Sequence, residues 1–354
     1  LIMTITNNSL EQENIAVKDD KAFKVLLTGK ESNRSISSKL SGEGIEVDFL
    51  KMEQPLEETS TNFIFKHFQP GIKYAQTNGH SLVIGIDEDT HKIGIAVKNF
   101  ETGVFQLLNV HQLAAILVQV WQKEFPNDDL LFVKSVHISE MIELMAAKGG
   151  SAYKNILVEP GSISTQIASI LEEKGEKHVL GFTENQEFYD NIVDFTGIIE
   201  KIIKLEAQLS KEDKTLFNEI LKLYKEFGFY KEKTFAVDFS KQSQRTHVKR
   251  VMDECKKNSS SIQERLDITH VLDFKKGKIK NFQTNKESVL NFPSINMLQI
   301  KFSDGLSVTF VPQDQQVYYY FAMKGSLAGV DMYPEINKEF DDRIFKVLEI
   351  LNKL

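Results

Sequence analysis

Cysteine is almost absent from this chain: Cys255 is the only one in 354 residues. A lone thiol excludes an internal disulfide and any zinc site built on paired cysteines, and it fits a reducing cytoplasm. Long apolar runs are missing as well. No stretch reaches the roughly 18 residues of a spanning helix and the N-terminus is polar, so neither a membrane span nor a secretory leader is expected. Positive charge is not in excess either. Lys and Arg number 43 against 50 Asp and Glu, and the net charge of −7 offers no basic field to nucleic acid or an anionic membrane. The one dense basic run, Lys275-Lys276-Gly277-Lys278-Ile279-Lys280, reads as a solvated hairpin tip. Familiar catalytic strings are also lacking. No G-x-S-x-G, H-E-x-x-H or G-x-x-x-x-G-K-[ST] occurs, and Thr28-Gly29-Lys30-Glu31-Ser32 only echoes the last of these. His67, His80, His111, His137, His178, His247 and His270 are scattered at spacings that suggest no metal or nucleophile pair.

What is present is an ordinary globular composition, 41 % apolar and 26 % charged, with room for two or three domains. Residues from Thr4 to about Asp20 are polar and without period, which predicts a mobile tail over 1–21. Strands and helices then alternate. Phe23–Leu27, Ile45–Leu50, Leu82–Ile86, Ile93–Val97, Leu131–Val136, Ile156–Val158 and Lys177–Phe182 read as strands. Ser35–Leu40, Val110–Phe125, Ser139–Lys148 and Ile163–Lys174 read as helices, followed by two longer ones around Ile198–Ile203 and Leu216–Phe227. Such alternation predicts open α/β sheets with helices on both faces. After Gly228-Phe229-Tyr230 the texture changes. Strands are expected at Thr234–Phe239, Met297–Phe302, Ser307–Val311 and Gln316–Met323, with a hairpin signal at Asp304-Gly305 and helices at Arg245–Lys257 and over Ile336–Leu351. This predicts a small α+β region, an antiparallel sheet with two helices.

The stretch Ile84-Gly85-Ile86-Asp87-Glu88-Asp89-Thr90-His91-Lys92-Ile93-Gly94-Ile95-Ala96-Val97 carries the most chemistry. Two apolar strands flank a turn on which Asp87 and Asp89 can place hard oxygens on one face, a pattern that suits Mg²⁺. It resembles the metal loop of the α-D-phosphohexomutases (phosphoglucomutases and phosphomannomutases), D-P-D-x-D-R followed by an apolar strand. Further pieces are similar in the same order. Val133-Lys134-Ser135-Val136 with Ser139-Glu140 resembles V-K-T-I-x-x-S-E, and Leu180-Gly181-Phe182-Thr183-Glu184-Asn185 resembles the sugar-reading F-G-F-E-E-S loop. Tyr224 to Lys233 resembles Y-x-x-Y-G-Y-Y-K-E, and Asp304-Gly305 through Gly325 resembles the family's final strand pair.

The resemblance implies domains II to IV of a four-domain fold: α/β at 22–103 with the metal loop, α/β at 104–230 with the sugar loop, and α+β at 231–354 with the phosphate loop. The first domain of the family, with its T-A-S-H-N-P phosphoserine loop, has no counterpart motif in these residues. The retained loops are degenerate. At the metal loop His91 replaces the third Asp; the turn is either ion-free or a weak divalent site of Asp87, Asp89 and His91, favouring Mn²⁺ or Zn²⁺ over Mg²⁺. At the sugar loop Thr183 replaces the first Glu, leaving Glu184, with Asn185 in place of Ser. The family's T-G-F-K loop is Pro160-Gly161-Ser162-Ile163, without its lysine, and nearby Glu159 supplies no cation. Lys134 matches a family lysine, although a strand-end lysine is ordinarily a solvated charge. The phosphate loop R-P-S-G-T-E-P-K is here Val311-Pro312-Gln313-Asp314-Gln315-Gln316-Val317; Pro312, Gln313 and Gln315 supply no cation and Asp314 would repel a phosphate.

These substitutions lead to an expectation of a phosphohexomutase relative without activity of its own, a binding, scaffolding or regulatory protein with no resident cofactor. A protein partner or a second copy is expected at the face that the first domain covers in the family, with sugar phosphate only weakly bound. Two alternatives remain: a mutase completed by a first domain supplied in trans, and a sugar-phosphate or nucleotide-sugar binding module.

Overall fold

The computed structural model describes residues 22–42, 44–52, 63–99, 102–126, 129–157, 163–174, 177–238, 240–313 and 315–354. The tail expected over 1–21, the stretch Glu159–Ser162 and Asp314 lie outside the described residues.

The chain begins with β1 (Phe23–Gly29), α1 (Arg34–Leu40), β2 (Ile45–Lys51), α2 (Phe63–Asn78), β3 (Leu82–Asp87), β4 (Lys92–Lys98) and β5 (Phe105–Leu108). Strand β3 is buried along its whole length, as a strand covered on both faces must be. β1 pairs in parallel with β2 and with β3, so the chain needs crossovers between them, and α1 and α2 provide these. The sequence pattern assigns no element between 51 and 81. Helix α2 fills most of that span, with Pro70 inside it masking the helical signal. β4 returns antiparallel to β3, and β5 adds beyond it, giving the order β2-β1-β3-β4-β5. The sheet therefore runs to Leu108, past the boundary at 103 expected from sequence.

Next come α3 (Val110–Glu124), β6 (Leu130–Ser135), α4 (Met141–Lys148), β7 (Ala152–Ile156), α5 (Ile163–Lys174), β8 (His178–Phe182), β9 (Phe188–Asp190), α6 (Phe195–Ser210) and α7 (Leu216–Phe227). The order β7-β6-β8-β9 repeats the plan of the first sheet: a central strand with two parallel neighbours, then an antiparallel return. The returns at 88–91 and 183–187 thus occupy equivalent places. Each uses a left-handed residue that is not glycine, His91 at φ 54° and Gln186 at φ 64°. They also touch, since Ile93 N–H donates to Gln186 O at 3.1 Å and Phe188 N–H to His91 O at 2.9 Å.

The last part holds β10 (Phe229–Asp238), α8 (Gln242–Lys257), α9 (Ser260–Gln263), β11 (Ile268–Asp273), β12 (Lys278–Asn281), β13 (Lys286–Val289), β14 (Leu298–Phe302), β15 (Leu306–Pro312), β16 (Gln316–Gly325) and α10 (Tyr333–Lys353). All neighbours in the order β10-β16-β15-β14-β11-β12-β13 are antiparallel. Alternation is clear in β16, where Val317, Tyr319, Phe321 and Met323 are buried and join Val251, Cys255, Ile344 and Val347 of α8 and α10 in one core. The four strands predicted for this part are present, whereas the strand expected at Ile156–Val158 is β7, four residues earlier, with Val158 outside the described residues; Asp304-Gly305 makes the β14–β15 hairpin with Gly305 at φ 87°. Strands β12 and β13 were not legible, because they are polar and never buried and have no apolar face to alternate; β11, largely buried, was also not assigned. The basic run forms the β11–β12 hairpin, with Lys275 and Lys276 exposed at its tip. No helix among the described residues is long and apolar enough to cross a membrane.

Candidate functional site

The carboxylate turn is built by strand register. Asp87 ends β3 with its side chain only 5 % exposed, whereas Asp89 on the turn is 67 % exposed. Parallel pairing sets Gly29 of β1 opposite Ile86, so Lys30 emerges beside both carboxylates. Its Nζ lies 2.9 Å from Asp89 Oδ2 and 3.4 Å from Asp87 Oδ1. The hydrogen bond to Asp89 and the charge of Asp87 hold the ammonium above its ordinary pKa despite the opposing effect of burial. His91 does not join them. Its left-handed backbone turns the ring against Tyr189 and Phe195, with centroids 5.9 and 5.6 Å away and edge-on packing. Among the described residues no group of three His, Cys, Asp or Glu side chains is placed to hold a metal ion. Two carboxylates already bridged by an ammonium, with the third donor turned away, do not fit the oxygen octahedron of Mg²⁺.

The second turn is held by its own side chains. Thr183 Oγ1 donates to Glu187 Oε2 at 3.1 Å and accepts the Asn185 N–H at 3.3 Å. Burial pushes the Glu187 carboxyl up. Glu184 instead buries Oε2 with no hydrogen-bond partner, and its charge acts on His111, His137 and Tyr320. Lys134 is not solvated. It is 1 % exposed at the end of β6, where Nζ donates to Ile138 O at 3.0 Å and pairs with Glu143 at 3.1 Å, and burial pushes its ammonium down. The lysine thereby clasps the 136–139 turn.

That turn brings together histidines that the sequence leaves scattered. Asn109 and Gln112 form a reciprocal cap at the start of α3, which fixes His111 in its first turn. His111 Nδ1 accepts the Ser139 N–H at 3.3 Å, and His137 stacks on Tyr320 with centroids 4.0 Å apart. Burial pushes both imidazoles down, against the raising charges of the nearby glutamates, and so favours their neutral form. Both line a cavity of about 40 Å³ shared with Glu232, whose carboxylate oxygens are buried without hydrogen-bond partners. Glu232 also lines a neighbouring recess of about 210 Å³ beside Glu140, Lys301 and Lys324. This junction between the second and third sheets is rich in acceptors and suits hydrogen-bond donors such as hydroxyls. Its two lysines, Lys301 and Lys324, both pair with Glu140, at 3.4 and 3.2 Å. No spacing in the sequence signals it, because its members come from α3, the 136–140 segment, β10, β14 and β16.

Ile163, where the family has a lysine, is 2 % exposed in the core cluster of Ile167, Ile170 and Val179. Its packing depends on Gly181, where a Cβ would meet Ile167 at 2.4 Å and Ile163 at 3.0 Å. At the β15–β16 hairpin Pro312 pairs with Val317, and the Gln313 N–H donates back to Gln316 O at 2.8 Å. Gln313 and Gln315 are exposed and neutral.

No protein-family model matches the chain. It is similar to curated proteins named phosphoglucomutase: 22 % identical over 288 residues to that of Staphylococcus epidermidis, covering 79 % of this chain and 51 % of that protein. The Staphylococcus aureus phosphoglucomutase is 21 % identical over 243 residues, covering 67 % of this chain and 44 % of that protein. Among solved structures it is similar to the open form of Paramecium parafusin, an exocytosis-sensitive phosphoprotein named as a phosphoglucomutase. The TM-score is 0.55 at 12 % identity, over 88 % of this chain and 54 % of that one. A phosphomannomutase structure from Thermus thermophilus gives a TM-score of 0.51 at 13 % identity, over 91 % of this chain and 62 % of that one. The chain spans about half the length of the curated relatives it matches. Sequence similarity and architecture together give the described residues a phosphohexomutase-type fold.

Proposed function

We propose that these 354 residues form a phosphohexomutase-type binding or regulatory chain that does not by itself interconvert hexose phosphates. The observation that carries this reading is the β15–β16 hairpin. A phosphate site needs guanidinium, ammonium or free N–H donors aimed at the anion. Here the hairpin offers Pro312, Gln313 and Gln315, and the Gln313 N–H is already used by Gln316 O. Ile163 adds to the reading, since proton transfer by a positioned side chain is worth roughly 10²–10⁴ in rate and a buried isoleucine supplies none. The T-A-S-H-N-P serine loop, the phosphoryl carrier in the resembled family, does not occur in these residues. On this proposal the domains divide just after β5 and near 230, the ligand is a protein partner or second copy with sugar phosphate only weakly bound, and the location is the cytoplasm, which the single buried Cys255 fits.

A second reading has the chain completed by a serine-loop domain from elsewhere, which would account for the presence of Asp87, Asp89 and Glu184. One coupled assay tests both. The purified chain with hexose 1-phosphate, bisphosphate activator and Mg²⁺ or Mn²⁺ is expected to show no turnover. Turnover by the chain alone would overthrow the binding reading; turnover only after adding the first domain of an active relative would establish the second.

A further inference from the structure

The turn between β3 and β4 carries two carboxylates of the kind that hold hard divalent cations, and a cation of the chain itself already stands between them. Register puts it there. Gly29 lies opposite Ile86, so residue 30 leaves β1 alongside Asp87. The strands are drawn close at this point, where a Cβ on Gly29 would sit 2.7 Å from the Ile86 carbonyl. Asn33 then donates its side-chain N–H to the same carbonyl at 3.2 Å, which pins the segment after Lys30 to the end of β3. From that position Nζ meets Asp89 Oδ2 at 2.9 Å and Asp87 Oδ1 at 3.4 Å.

We propose that the Lys30 ammonium is the resident cation of this turn, making Lys30, Asp87 and Asp89 an internal ion triad that takes up no divalent metal. A buried carboxylate such as Asp87 requires a counter-charge. The ammonium supplies that charge with three N–H donors. Being tethered, it acts at an effective concentration that millimolar free metal must overcome. An incoming ion would have to expel Lys30 from both carboxylates and would gain no help from His91, whose ring faces Tyr189 and Phe195. The residue that decides the matter lies in the neighbouring strand end, not in the turn. The inference stands apart from the catalytic reading, because its readout is metal uptake and not turnover.

Calorimetry and Mn²⁺ electron paramagnetic resonance on the whole chain test it. The wild type is expected to take up neither Mg²⁺ nor Mn²⁺ at millimolar concentration, whereas Lys30→Met should bind Mn²⁺ at least about tenfold more tightly, and adding Asp89→Asn should abolish that gain. Should Lys30→Met not fold, acetylation of Lys30 in the wild type, read by mass spectrometry, replaces it. Labelling at Lys30 unchanged by millimolar Mn²⁺ supports the triad. Metal uptake by the wild type that Asp89→Asn removes, a rise in Lys30 labelling when Mn²⁺ is added, or a folded Lys30→Met that binds no more Mn²⁺ than the wild type would each overturn it.

Discussion

The turn after β3 and the turn after β8 occupy the same place in sheets of the same strand order, yet they treat their carboxylates in opposite ways. In the first, buried Asp87 meets the ammonium of Lys30. In the second, Glu184 buries an oxygen with no hydrogen-bond partner, and Glu206 on α6 and Glu232 on β10 bury oxygens in the same condition. Topology fixes where a carboxylate turn sits. Whether a cation meets it depends on the residue that the adjacent parallel strand delivers, and β6 delivers Lys134 to Ile138 O and Glu143 instead. The contrast makes one claim open to test: charge at the first turn is compensated, and the carboxyls buried without full hydrogen bonding elsewhere are tolerated at a loss of stability.

Glu206 gives the largest expected effect. Its carboxyl is buried on α6, accepts the Leu216 N–H at 2.6 Å, and burial pushes it up to about 8. The stability associated with this group is fullest below about 4.5, the ordinary carboxyl value, and is lost progressively as pH rises from there through about 8. At pH 7 the difference of about 2.5 units corresponds to roughly 3 kcal/mol. Glu206→Gln keeps the acceptor and removes the proton. Urea unfolding should find it about 3 kcal/mol more stable than the wild type at pH 7 and about equal near pH 4. A variant whose advantage does not grow with pH would show that Glu206 is compensated after all.

Lys30→Met should act in the opposite direction. It leaves Asp87 buried without its cation, and because the pair is only partly buried the loss should be about 1–2 kcal/mol. No change in the denaturant midpoint would mean that Asp87 is no better compensated than Glu184, and the comparison between the turns would fall. Glu232→Gln sharpens the other side. Replacing a carboxylate with no hydrogen-bond partner by an amide of the same shape should raise the melting temperature by an amount corresponding to about 1 kcal/mol. Asp89→Asn is the smallest perturbation. Its carboxylate is 67 % exposed, so stability should move by less than about 0.5 kcal/mol, even though the metal experiment depends on this residue.

Much of the fold was legible wherever burial followed a local period. β3 and β4 are apolar on either side of the Asp87 turn, the β14–β15 hairpin sits at Asp304-Gly305, and α10 shows Phe340, Ile344, Val347 and Leu351 at helical spacing. Helix α2, interrupted by Pro70, and the polar strands β12 and β13 were not, since neither carries a clean apolar face. The site was legible only as separate loops. Asp87, Glu184 and Pro312 could be picked out by resemblance, but nothing near Asp87 in sequence names Lys30, and nothing at 111 or 137 names the junction that joins them.

The sequence by itself determined most of the succession of strands and helices, the positions of the turns and the absence of cationic groups from residues 311–317, because each of these depends on residues adjacent along the chain. Tertiary structure alone decided which charges meet. Lys30 and Asp87 are 57 residues apart and become neighbours only through the parallel register of β1 and β3. His137 and Tyr320 stack only because the third sheet packs against the 136–139 turn. Side-chain period records which face of an element is buried, and pairing across elements records what that face is buried against; the chemistry of this chain is settled by the second.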